Sequence, residues 1–157
     1  MTAIEPYPTI REYRRGNIDV ETATLRVALF NDSTAYSPDQ VNHEYVSDVL
    51  DGGTTAQEIQ DATYSRQTVS NASVTVDAAG GEVEFDADDV TFSGLDGGET
   101  IQGWIVFQQV GGDDTTPADD RIIAIEDEAT NSNGNLVTLN GSDVTIQFSS
   151  EGIINVA

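Results

Sequence analysis

The stretch TIQGWIVFQQV, residues 100–110, places the strongest constraint on how this chain folds. Residues 104–107, Trp-Ile-Val-Phe, follow one another without a polar residue, a pattern typical of a strand that is covered on both faces. Gly103, next to the only Trp, predicts a bulge or a close backbone approach that lets the indole turn inward. Gly- and Asp-rich turns flank the stretch on both sides,. We therefore predict that it is the central strand of a sheet.

Short alternating segments separated by Gly, Asp and Asn turns occupy most of the remaining chain. Their number and spacing predict a mainly β fold, an antiparallel β-sandwich or a barrel-like domain, over residues 18–157. Gly80-Gly81 and Asn140-Gly141 lie between alternating segments, and each predicts a hairpin turn. Valines 74, 76 and 83 and Phe85 share one side of the first hairpin, which predicts a half-buried hairpin. The predicted strands are 24–31, 64–70, 72–77, 82–86, 90–92, 100–110, 121–126, 136–139, 144–148 and 153–156.

One short helix is predicted to be inserted early in this domain. Ser37-Pro38-Asp39-Gln40 has the order of a capping box, with Ser at the N-cap and Pro at the first helical position. The predicted helix runs from Pro38 to about Glu44. Residues 45–50 either continue it or extend, and Asp51-Gly52-Gly53 ends it.

The charge of the chain is strongly unbalanced. It has 28 Asp and Glu against six basic residues, all Arg, and a formal net charge of −22. Such a surface repels itself in dilute buffer, whereas in molar salt the Debye length falls to about 3 Å and the repulsion is screened. We interpret the acids as a solvated surface adapted to a high-salt cytoplasm; a nucleic-acid mimic and a calcium-loaded surface are the alternatives. Binding to nucleic acid is not expected, since it needs a basic surface.

Half of the basic residues lie within five positions, at Arg11, Arg14 and Arg15. They belong to an N-terminal arm, residues 1–17, with a short helix predicted from Thr9 to Arg15 and ended by Gly16. Two interpretations are open. The arm docks on a neighbouring subunit through carboxylates that the arginines bind, or the helix folds on its own acidic domain.

Membrane insertion and secretion are not expected from this sequence. No apolar run approaches the roughly 18 residues that span a bilayer, and the N-terminus lacks the apolar region of a signal peptide,. The N-x-S/T sequences at Asn31, Asn71 and Asn140 are therefore interpreted as chance.

Catalysis, cofactors and bound metals are not expected either. The chain has no Cys and no Lys, and its only His, His43, is interpreted as a surface or capping residue,. No nucleophile-elbow motif, phosphate loop or dinucleotide fingerprint is present,. The acids at 86–89 and 113–120 lack the regular spacing and closing Glu of a calcium loop, so they are interpreted as solvated turn residues rather than as cation ligands.

Three segments carry a resemblance to a known family: LRVALFNDSTAYSPDQVNHEYVSDV at 25–49, DADDVTFSGLDGGETIQGWIVFQ at 86–108, and VTIQFSSEGII at 144–154. In this order they resemble small virion structural proteins of tailed bacteriophages and of tailed viruses of halophilic archaea. The family usually begins with a Lys-rich helical segment, which here is residues 10–15 with Arg only. That difference and the acidic excess indicate a virus of a high-salt host.

The resemblance implies a non-enzymatic role in the virion, after synthesis in the host cytoplasm. Our first hypothesis is a capsid-decoration or turret-base protein on the particle surface, whose partners are the major capsid protein and further copies of itself. In this hypothesis Arg11, Arg14 and Arg15 of the arm contact carboxylates of the capsid or of a neighbouring subunit. The first alternative is a tail protein of the tube, baseplate or fibre attachment. The second is a host-surface module that binds glycans through an exposed Trp104 or Tyr residues.

Overall fold

The computed structural model describes residues 3–50, 55–148 and 153–156. The part described contains two α-helices, one 3-10 turn and eleven strands. The helices are α1 (Tyr7–Arg15) and α2 (Val46–Val49), and the 3-10 turn is Asp32–Thr34. The strands are β1 (Leu25–Asn31), β2 (Gln57–Glu58), β3 (Gln67–Thr68), β4 (Ser73–Asp77), β5 (Glu82–Asp86), β6 (Val90–Phe92), β7 (Thr100–Gln108), β8 (Arg121–Glu126), β9 (Val137–Thr138), β10 (Val144–Ile146) and β11 (Ile154–Val156).

The main sheet is built around β7, as the sequence predicts. Its strand order is β2-β1-β7-β8, with β3 added to β1 and β9 added to β7. Alternate residues of β7 enter two different cores. Trp104 and Val106 pack on one face with β5, β6, β10 and β11, whereas Ile105 and Phe107 pack on the other face with Tyr36 and α2. Both faces of β7 are therefore covered.

The two smaller sheets cover one face of the main sheet. One has the order β10-β6 and the other β11-β5-β4, and every pairing described is antiparallel. The prediction of a mainly β, antiparallel fold is confirmed. All three sheets are open, so the barrel-like alternative is wrong and the layered arrangement is that of the sandwich alternative.

The glycine in β7 has the role that its position predicts. The pairing of β7 with β1 shifts between Phe30 and Asn31, opposite Gly103 and Ile101, which is a bulge. A Cβ atom on Gly103 would lie 2.0 Å from the carbonyl oxygen of Glu126 on β8 and 2.4 Å from Cζ of Phe30. Only glycine allows the three strands to approach this closely.

The predicted helix at Pro38 to Glu44 is wrong. Residues 35–39 are irregular, residues 40–42 form a turn, and the inserted helix is α2, at Val46–Val49. Asp39, and not Ser37, takes the capping role, because its Oδ1 accepts the amides of Val41 and Asn42. These bonds close a turn instead of starting a helix. The predicted stop at Asp51-Gly52-Gly53 lies outside the described residues.

The predicted hairpin at Asn140-Gly141 is also wrong. The strands on its two sides belong to different sheets, since β9 pairs with β7 and β10 pairs with β6. The Leu139 amide donates to the Glu99 carbonyl and the Gly141 amide donates to the Leu95 carbonyl, each at 2.8 Å. These long-range bonds hold the segment between the sheets and override the local turn preference.

No helix in the described residues is long and apolar enough to cross a membrane.

Candidate interaction surfaces

Helix α1 carries the three clustered arginines, and local residues define its ends. Pro8 lies in its first turn, where the missing amide hydrogen costs nothing,. Gly16 follows in the left-handed conformation, with φ of 73°, and its amide donates to the Tyr13 carbonyl,. The predicted helix is confirmed, and it starts two residues earlier than expected, at Tyr7.

The N-terminal segment is bound along the edge strand β8 of its own domain. Ile4 and Ile125 exchange backbone hydrogen bonds of 2.7 and 2.9 Å. The Thr9 hydroxyl, fully buried, donates to the carbonyl of Ile122. Of the two interpretations of the arm, these contacts are those of a helix folded on its own domain, and they leave the opposite side of α1 free.

The free side of α1 is basic. Arg11, Arg14 and Arg15 lie three and four residues apart and all three are exposed,. With Tyr7, which is 54% exposed, and Ile10 they line a shallow groove of about 540 Å³. The structure therefore brings the predicted contact residues together on one outward surface, which we call the arginine face.

Only part of the charge on the arginine face is matched within the described residues. Arg11 pairs with Glu12 at 2.7 Å and with Glu44 at 3.0 Å, and Arg15 pairs with Glu12 at 3.2 Å. Arg14 forms no salt bridge to any described residue. It is the guanidinium most available to a partner's carboxylate.

Two acids beside α1 have pKa values shifted in opposite directions. Hydrogen bonds from Asn17 and Arg11 lower the pKa of Glu12 to about 2. Burial raises the pKa of Glu5 to about 7, and the charge of Arg14 opposes that shift only partly. The segment around α1 therefore contains one acid that stays charged down to about pH 2 and one that gains its charge near neutral pH.

The other three arginines are engaged inside the domain. Arg66 binds both carboxylate oxygens of Glu58, at 2.8 and 2.9 Å, and lies over the Phe107 ring. Arg121 bonds Glu44 and lies over the Tyr45 ring. Arg26 donates to the backbone carbonyls of Arg66 and Gln67. Among the described residues, outward positive charge is thus concentrated on α1.

The β4–β5 hairpin forms as predicted, but it is not half-buried along its whole length. Phe85 is 7% exposed, whereas Val74 and Val83 are 44% exposed and Val76 is 74% exposed. Alternation in the sequence places these residues on one face, yet it does not show where the covering layer ends. The three exposed valines, which we call the valine patch, were therefore missed as a surface.

The predicted acid clusters are mainly loop caps. Asp113 accepts the Thr115 amide, Asp114 accepts from Gln109, and Asp88 accepts from Asn71. Asp120 is fully buried; its Oδ1 accepts the Val110 amide at 2.8 Å, and burial raises its pKa. The acids in the described residues whose oxygens come within 4.8 Å of one another are instead Asp77, Glu82 and Glu84, on the hairpin. Their proximity follows from the strand register, which the sequence did not specify.

His43 stabilises the turn that replaces the predicted helix. Its Nδ1 accepts the Asp39 amide at 3.1 Å and lies 2.9 Å from the Tyr36 hydroxyl oxygen. The ring stacks on Tyr36 with centroids 5.6 Å apart. These contacts are those of a capping residue.

Trp104 is a core residue with one side toward a cavity. It is 8% exposed and meets Phe148 edge to face, with ring centroids 5.5 Å apart. The cavity of about 640 Å³ beside it is also lined by Ile101, Ile146 and Glu126. The indole therefore does not offer an open flat face at the surface.

Comparison of the chain with protein-family models, with curated proteins and with solved structures finds no match.

Proposed function

We propose that this chain is a non-enzymatic virion structural protein, a capsid-decoration or turret-base subunit that binds the head shell and stabilises it in high salt. The proposal combines the family resemblance of the sequence with the surface of the domain. Its partners are the major capsid protein and further copies of the same chain. Neither nucleic acid nor a membrane has a role in it.

The observation that carries the proposal is the arginine face of α1. The helix is fixed to β8 on its inner side, so the backbone that carries the three arginines is held in place before a partner arrives. Preorganised groups lose less conformational entropy on binding than a free arm does. Arg14, with no salt bridge to a described residue, offers a bidentate contact to a carboxylate, a geometry that lysine cannot provide.

In molar salt such direct contacts act at short range, while the surrounding acidic surface is screened. Burial of interface area between the subunit and adjacent capsid proteins then opposes the outward pressure of packaged DNA. The acidic loops face the solvent and keep the particle soluble. No step of this mechanism requires bond chemistry.

The location is tested on purified virions. The salt concentration is lowered stepwise, and mass spectrometry follows whether the protein leaves DNA-filled heads or co-purifies with detached tails. Loss from heads that stay intact is the expected result. Co-purification with tails contradicts the decoration role and favours the tail alternative, which uses the same surfaces.

The arginine contact is tested by substitutions at Arg14. Deleting residues 1–16 is a poor test, because it removes the segment that covers β8. Arg14→Gln breaks no salt bridge among the described residues and is expected to weaken rebinding to stripped heads at least tenfold, whereas Arg14→Lys keeps the charge and is expected to lose less. Equal binding by all three proteins excludes this contact.

The glycan-binding alternative has less support. Trp104 is 8% exposed and packed against Phe148, so it lacks the open face on which a sugar ring stacks. Binding of the purified protein to host-surface glycans, lost on substitution of an exposed Tyr, is the result that favours it.

A further inference from the structure

The outer edge of β4 is open in the described residues. β4 pairs with β5 on one side, and no described strand pairs with its other side. The Val74 amide donates to Oε1 of Glu21 at 3.1 Å instead of to β5, so the backbone groups of Val74 point outward. Because these groups alternate along an antiparallel strand, those of Val76 point outward as well.

The open edge coincides with the valine patch. Val74, Val76 and Val83 lie on the same side of the sheet as Phe85 and Ile154, which are buried in the core. The apolar face therefore continues from the core to an exposed edge. An exposed, apolar edge strand is a template for pairing with another strand.

We propose that β4 pairs with β4 of a second copy, antiparallel and about a two-fold axis through Thr75. In this register Thr75 faces Thr75 of the second copy, and Val74 faces its Val76. The outward backbone groups then meet in hydrogen-bonded pairs on both sides of the axis. Two three-stranded sheets become one sheet of six strands, and the two valine patches join on one face.

The side chains of β4 and the length of the paired segment favour a second copy in this register. All five residues of β4 find a partner, and Asp77 faces the Ser73 hydroxyl of the second copy instead of another carboxylate,. A slip that sets the two Asp77 residues opposite each other brings like charges together. The alternation of Val with Ser, Thr and Asp in β4 thus complements itself.

Glu21 controls access to this edge. In the monomer its carboxylate accepts the hydrogen bond of the Val74 amide, and charged groups at sheet edges prevent unwanted pairing in this way,. Pairing displaces Glu21 and brings two acidic domains together, so the dimer is expected to strengthen with salt. The inference rests on the proposed decoration role in one respect, because the dimer is the contact between copies that this role includes. It is tested on the purified protein without heads.

The chain has no Cys, so Thr75→Cys introduces a single thiol. In the proposed register the two Thr75 residues form a non-hydrogen-bonded pair. The Cα atoms of such a pair are about 4.5 Å apart, within the range that a disulfide spans. Under mild oxidation in molar salt, T75C is expected to form a covalent dimer at least tenfold faster than Thr91→Cys, an exposed threonine on β6. Cross-linking no faster than that of T91C overturns the proposal.

The register is tested by mixing two variants. Ser73→Cys and Asp77→Cys are each expected to cross-link slowly alone and at least tenfold faster when mixed. A mixture no faster than either variant alone rules out this register.

The equilibrium is measured by analytical ultracentrifugation at several salt concentrations. Relative to the parent, Val76→Glu is expected to weaken the dimer at least tenfold, and Glu21→Ala is expected to tighten it at least threefold. A protein that stays monomeric throughout, with or without Glu21, overturns the proposal. Head binding that persists in V76E, which weakens the dimer, shows that the decoration role stands independently of this dimer.

Discussion

Gly103→Ala is expected to destabilise the domain more than any other single methyl addition at a described glycine. The new Cβ would lie 2.0 Å from the Glu126 carbonyl oxygen, 2.4 Å from Cζ of Phe30 and 2.9 Å from Cα of Asp127. Two of these three atoms are backbone, so no side-chain rotation relieves them. The end of strand β8, at Glu126, must move away from β7.

The size of the effect follows from these contacts. Overpacking a core with one methyl group costs about 1–3 kcal/mol, and contact with backbone on a neighbouring strand places this case near about 3 kcal/mol. For a domain of this size each kcal/mol lowers Tm by about 2–4 °C. The expected decrease in Tm is therefore about 6–12 °C.

Thermal unfolding followed by circular dichroism in molar salt measures the change, and Gly111→Ala is the matched control. Gly111 has φ of 79° and no atom within 4 Å of an added Cβ. Its substitution carries only the cost of the left-handed conformation, about 1–2 kcal/mol. If G103A loses no more stability than G111A, the close approach of β8 to Gly103 is refuted.

Three further predictions concern pH and exposure. Burial raises the folded-state pKa of Glu5 to about 7 from 4.5, so stability falls as pH rises from 4.5 to about 7,. Glu5→Gln is expected to remove that fall, and urea unfolding at pH 8 is expected to show a free energy of unfolding only about 1 kcal/mol higher, since solvent screens this partly exposed group. The pKa of Glu12 is lowered to about 2, so its contribution to stability is present above pH 4.5 and is lost as pH falls toward 2. Glu12→Gln is expected to be less stable than the parent at pH 7, and this difference in stability is expected to disappear in acid. A difference that stays constant with pH contradicts the lowered pKa of Glu12. Trp104 is 8% exposed, so its fluorescence is expected to be blue-shifted and poorly quenched by acrylamide; emission at the wavelength of free indole contradicts its burial.

Sequence patterns predicted this fold well where neighbouring residues decide the structure. The bounds of β5, β6 and β8 agree with the predicted segments at both ends, because alternation in β5 and β6, the apolar run in β8 and the flanking turn residues specify them locally. The helix at Pro38 failed because two side chains competed for one capping role, and the bonds made by Asp39 prevailed. A local pattern does not rank such competitors.

The candidate surfaces were predictable only in part. Three arginines in five residues identified a basic segment, yet the side of α1 that faces outward depends on contacts with Ile122 and Ile125, more than a hundred residues away. The valine patch was hidden for the same reason, since burial of a strand face depends on a layer contributed by distant chain. Pairing partners of β9 and β10 likewise depend on long-range bonds.

The attachment of the N-terminal segment to β8 also affects the order of folding during synthesis. Ile4 cannot pair with Ile125 until Ile125 has been made, and at a synthesis rate of about 5–20 residues per second that delay is roughly 6–24 s. Throughout that time the nascent helix has no strand β8 to pack against. Until Ile125 has been made, the growing chain therefore lacks the fixed arginine face.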